Sequence, residues 1–170
     1  PLQAGIVLAG VAWLGWVGRE RGMPGRPAAR AALVALALGW ALTAWAFLWL
    51  RLAPIHWLAG YIAPLFLLQA AALLALALQG AVHGHPDRWR RAAGLALLLW
   101  ALLLHPLLAG LEGRPWTQAE CVGLASDPTA IATLGLLLVL RGPRWPMRAL
   151  WAVPLAWCLL SVATLWTMGS

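Results

Sequence analysis

The stretch ECVGLASDPTAIATLGLLLVLR, Glu120–Arg141, decides how the rest of the chain is read. It is an apolar run, yet it carries Cys121, Asp127, Pro128, Thr129 and Thr133. Asp is a good helix N-cap, and Pro suits the first helical position, where no amide hydrogen is needed. A regular helix is therefore expected from Pro128. From there to Leu140 it extends about 20 Å, too short for an apolar bilayer core about 30 Å thick. The preceding CVGLAS must then lie inside the outer part of the membrane as an irregular segment. Irregular backbone facing lipid leaves hydrogen-bonding groups unmet, so this segment is expected to be shielded by protein.

The remaining sequence supplies the membrane context. The 170 residues are 63% hydrophobic and only 10% charged, whereas soluble domains run at about 45–50% and 25%. The expected fold is all-α, a polytopic bundle of about six transmembrane helices forming a single domain over residues 1–170. The spans fall at about 3–18, 31–50, 57–79, 92–111, 121–140 and 149–167. The first is short, which fits residues lost ahead of Pro1. No signal-peptide pattern is visible. Two cysteines, one of them inside an apolar run, do not make a disulfide framework.

All 12 basic residues are arginine, and the net charge is +7. Ten of them (Arg19, Arg21, Arg26, Arg30, Arg88, Arg90, Arg91, Arg141, Arg144 and Arg148) follow spans one, three and five. Only Arg51 and Arg114 fall on the other side. This bias places the basic loops in the cytoplasm and both termini outside. It is a topology signal in short loops, so nucleic acid is not an expected partner; the lipid bilayer and other membrane subunits are. Trp49, Trp57, Trp116 and Trp166 fall at the outer boundary, and Trp16, Trp89, Trp145 and Trp151 near the inner one, where indoles prefer to sit. Trp40, Trp45, Trp100 and Trp157 lie deeper, as packing groups or as a flat surface for a pigment, quinone or sterol.

His105-Pro106 in span four and Asp127 in span five each lie about 9 Å below the outer boundary by helix rise. At matched depth they could pair, each lowering the other's cost. Pro106 also frees the carbonyl of Leu102. With Thr129 and Thr133 they form a candidate polar or cofactor-binding site inside the membrane. A plainer reading is a capping Asp and a His bonded to one carbonyl. A looser outer-face cluster of His56, Glu112, Glu120 and Cys121 offers N, O and S donors without compact metal-ligand spacing, so no metal site is assigned. His83-Gly84-His85 reads as a solvated loop. Pro64 and Pro154 are expected to interrupt spans three and six. No nucleophile–base pair or phosphate loop is present, so no catalytic residue is assigned and the chain does not read as an enzyme.

GLASDPTAIATLGLLLVL (Gly123–Leu140) resembles a segment in a family of uncharacterised bacterial multi-pass integral membrane proteins of unknown function. There a Gly precedes Pro-Cys-Pro-Thr-Thr and an apolar run of the Thr-Leu-Gly-Leu-Leu type. PLQAGIVLAGVAWLGW is similar to that family's first span, and YIAPLFLLQAAALLALAL to a span usually carrying Asn-Pro. LWAVPLAWCLLSVATLW is similar to its last span. Asp127 stands in the Cys position, Ser126 replaces the preceding Pro, and Ala63 stands where Asn is usual. Thr129 and Thr133 match the family's threonines. The resemblance implies a fold and a hot spot, not an activity, and a role resting on the family's cysteine is put in question at Asp127.

Three functions fit this reading. The first is a non-catalytic accessory or structural subunit of a larger membrane complex of respiratory or photosynthetic type, in a bacterial inner (cytoplasmic or intracytoplasmic) membrane. The second is a small-solute or proton-linked transporter using the broken fifth span. The third is a pigment- or haem-binding membrane protein using His105. Lipid is the expected bound species in all three.

Overall fold

A computed structural model describes residues 2–19, 26–54, 57–107 and 121–169. The architecture is all-α. The helices are α1 (Leu2–Arg19), α2 (Arg26–Leu42), α3 (Trp57–Gln79), α4 (Arg88–Leu99), α5 (Ser126–Val139), α6 (Arg144–Ala149) and α7 (Ala152–Gly169). Among the described residues four helical stretches are long and apolar enough to cross a membrane: Arg26–Arg51, Ala59–Gln79, Arg88–Leu107 and Arg144–Thr164. Gly5–Gly15 and Ser126–Val139 are apolar but shorter.

Two helices change pitch. α2 runs on as a π-helix over Thr43–Leu52, and α4 does so over Trp100–Leu104. The cause is legible in the chain. Pro54 and Pro106 each stand two residues beyond a π run. A proline ring collides with the carbonyl four residues back and offers no N–H to it. Widening the turn carries that carbonyl aside. The residues just before the prolines bond five back instead: Ala53 N–H donates to the Leu48 carbonyl, and His105 N–H to that of Trp100. Pro154 follows an interruption of the Arg144–Thr164 stretch: the turn at Leu150–Trp151 parts α6 from α7, with Leu150 at the position whose carbonyl the proline ring would meet. It sits in the first turn of α7, where its missing N–H is harmless. Pro64 lies inside α3.

The core is built on α5, most of which is buried. It crosses α4 at two glycines. A Cβ added at Gly94 would lie 2.5 Å from the Gly135 carbonyl oxygen, and one at Gly135 would lie 2.8 Å from that of Gly94. Small residues of this kind let two helix backbones approach. On another side α5 meets Trp40, which is fully buried and stands edge-on to Phe66 at 4.5 Å. Phe66 in turn stands edge-on to Trp157 at 5.1 Å. Buried Gln69 of α3 donates to the Leu150 carbonyl at 3.0 Å, between α6 and α7.

One tie fixes which connections share an end. β1 (His83–Gly84) pairs antiparallel with β2 (Leu140–Arg141), with His83 opposite Arg141. His85 N–H adds a bond to the Val139 carbonyl at 2.7 Å. The connection after α3 and the one after α5 therefore meet. Asp87 accepts from Trp89 N–H at 2.9 Å and caps α4 there, so that helix starts four residues ahead of the expected span.

Candidate functional site

The irregular segment before α5 is a turn. Leu124 and Ala125 N–H both donate to the Cys121 carbonyl at 3.0 Å. Gly123 adopts a left-handed φ of 82°, which a side chain would strain. Its Cα faces Gly39 of α2 so closely that a Cβ on Gly39 would lie 3.0 Å away. Cys121 is 1% exposed. The segment is thus buried against protein.

The capping assignment needs correction. α5 starts at Ser126, and its N-cap is Ala125, in extended conformation with no side-chain bond. Asp127 lies inside the first turn, where a negative charge suits the helix dipole. Its Oδ1 accepts from Trp157 Nε1 at 2.7 Å and from Ser161 Oγ at 2.6 Å. Both donors lie on α7, four residues apart and so on one face of it. The side chain that organises the turn is instead Thr129. Its Oγ1 accepts from Gly123 N–H at 2.7 Å and donates to the Ala125 carbonyl at 2.6 Å.

The expected site is therefore divided between two faces of α5. Thr129 and Thr133 look toward α2: Trp40 Nε1 donates to Thr133 Oγ1 at 2.8 Å, and Thr133 donates to the Thr129 carbonyl at 2.8 Å. Asp127 looks toward α7. The contacts close into a ring: Asp127, Trp157, Phe66, Trp40, Thr133 and back along α5. His105 is half-buried on the continuation of α4. Asp127 bonds to α7 and not to His105, because α4 meets α5 along its Gly135 side. His56, Glu112 and Glu120 of the outer-face cluster lie outside the described residues. Among the described residues no three His, Cys, Asp or Glu side chains gather as a metal-holding group.

Sequence reasoning missed the donors to Asp127. Ser161 follows Trp157 at i+4, which is the signal that could have found it. It also missed Ser126, 4% exposed, whose Oγ has no partner among the described residues. Beside the turn, an apolar cleft of about 350 Å³ opens between α1, α2, α4 and α5. Gly10, Ala35, Gly39, Leu102 and Gly123 are among its lining residues. It lies on the Thr129 side of α5, away from the Asp127 carboxylate. In chemical terms the arrangement ties helices together and leaves an apolar recess beside the turn. Comparison with protein-family models, with curated proteins and with solved structures finds no match.

Proposed function

We propose that this chain is a multi-pass bacterial inner-membrane protein, with basic connections in the cytoplasm, that serves as a non-catalytic accessory subunit of a larger membrane complex. One observation carries this reading. Trp100 is 43% exposed and lies about 18 Å along its helix from Arg88, at mid-depth rather than at the boundary tryptophan prefers. Its backbone N–H stays in the helix, donating to the Ala96 and Leu97 carbonyls, while its indole N–H donates to no described residue. Facing acyl chains it would be unsatisfied, which is costly; facing a second membrane protein it would find an acceptor. Trp45, 60% exposed in the π stretch of α2, repeats the pattern nearer the other boundary. The Asp127 carboxylate is bonded internally to Trp157 and Ser161, which supports a packing role over a reacting one.

The test is a photo-crosslinking amino acid at position 100 in the full chain, in native membranes. Adducts with one membrane protein of fixed mass support the reading. Adducts with lipid alone, together with a monomer in mild detergent, overturn it.

A second reading is favoured by the recess at Gly123 and the helix that begins inside the bundle: transport of a small apolar solute through that cleft. Ala35→Leu, on the lining of the recess and clear of the Gly39–Gly123 contact, would fill it. Unchanged solute uptake by that variant, folded as judged by circular dichroism, would remove it.

A further inference from the structure

At the end of the molecule where β1 meets β2, positive charge accumulates. Arg88, Arg90, Arg141, Arg144 and Arg148 are all exposed there. The bridge sets them together. Arg141 is itself in β2, Arg90 Nη1 reaches to 3.4 Å from His85 Nε2, and Gly142 packs against Val82 and Met147, which seats α6 beside the loop. His85 registers the result. Its pKa is lowered by burial first and then by Arg90, with Arg141 and Arg91 adding to the effect against Asp87. The described carboxylate at this end, Asp87, already accepts from the start of α4. Arg91 is likewise engaged, donating to the His85 and Pro86 carbonyls at 2.9 and 2.8 Å.

Two exposed indoles flank this patch. Trp89 is 72% exposed, with the Arg88 guanidinium 5.2 Å over its ring. Trp145 is 79% exposed, with Arg148 5.8 Å over its ring. An indole settles at the boundary between acyl chains and headgroups. A guanidinium held over it then stands at the level of the phosphates, and its planar fork matches phosphate oxygens.

We propose that this end is a docking surface for anionic phospholipid headgroups, with Arg90 and Arg141 between the two Arg–Trp pairs as the phosphate-binding groups. The proposal rests on the membrane reading above and adds a lipid class to it. The partner is a lipid because the charge comes paired with boundary-seeking aromatics on both sides, which a soluble anion would not need.

The test uses the full chain in vesicles of phosphatidylcholine alone or mixed with phosphatidylglycerol, with spin-labelled forms of each lipid reporting the motionally restricted fraction. Phosphatidylglycerol should be retained in preference to phosphatidylcholine, less so as salt rises. Each of Arg90→Gln, Arg141→Gln and Arg148→Gln should lower the preference, by up to about fivefold, and Arg→Lys at the same positions should keep much of it. Arg51→Gln, outside the patch, should leave it unchanged. Equal retention of both lipids, a preference that survives the triple Gln variant, or complete displacement by inorganic phosphate would each overturn the proposal. A chain that enters neither vesicle overturns the membrane reading itself, so the two failures are distinguishable.

Discussion

The two sides of α5 achieve the same end by opposite chemistry. Toward α4 it presents Gly135 to Gly94, so that backbone meets backbone and no side chain intervenes. Toward α7 it presents Asp127 to Trp157 and Ser161, so that side-chain hydrogen bonds make the contact. A glycine contact is unforgiving in volume and indifferent to polarity. A carboxylate contact tolerates shape and fails when its partners lose their acceptor. The contrast predicts which substitutions each side accepts.

The largest effect is expected at Gly94. A valine there puts Cβ against the Gly135 carbonyl, which is backbone and cannot turn aside. Overpacking of this kind costs about 3 kcal/mol, and thermal unfolding in detergent should show the corresponding loss. Gly94→Val melting like the native chain would mean the crossing is looser than described. Next comes Asp127→Ala, which strips the acceptor from two donors and should cost about 1–2 kcal/mol. Asp127→Asn keeps an acceptor and should recover most of that, so similar melting of the two variants would break the comparison. Smaller still is Thr133→Val, which leaves the Trp40 indole N–H without its oxygen. About 1 kcal/mol or less is expected, with a shift in buried tryptophan emission as the readout.

The smallest effect concerns pH at the β1–β2 end. Asp87 N–H donates to His85 Nδ1 at 3.1 Å, which requires that nitrogen to be unprotonated. The pKa of His85 lies below its ordinary value of 6.5. The folded loop therefore favours the neutral ring, and its contribution is present above 6.5 and lost as pH falls below it. Protection of the His85 amide, whose N–H bonds the Val139 carbonyl, should fall in that window relative to the intrinsic exchange rate at each pH. A His85→Gln variant should show no such loss of protection.

What the sequence disclosed follows from the range of the interactions. Long apolar runs are local facts, and they announced the all-α architecture, four of them as helices of spanning length among the described residues. The break before α5 was legible because Pro128 and chain length are also local. The role of Asp127 was not. Its neighbours in sequence made it look like a cap, but its partners lie 30 and 34 residues away. Which face of α5 meets α7 depends on helix rotation, and that is set by the two-glycine crossing with α4. Nor did either face of an apolar helix offer a periodicity that could fix rotation beforehand. The π stretches escaped for a related reason. Pro106 was read for the carbonyl it frees, while the chain answered by widening the turn ahead of it.

Those widened turns also carry slack in chain length. A residue removed from Trp100–Leu104 can be absorbed by a return to ordinary α pitch, leaving the following residues in phase, at the cost of bringing the Pro106 ring back onto a carbonyl. The same deletion within Arg88–Leu99 has no slack to draw on and rotates everything beyond it by about 100°, swinging Leu98 and Leu102 off the faces they now occupy. Length variation in this helix is therefore tolerable at one place and ruinous a turn earlier.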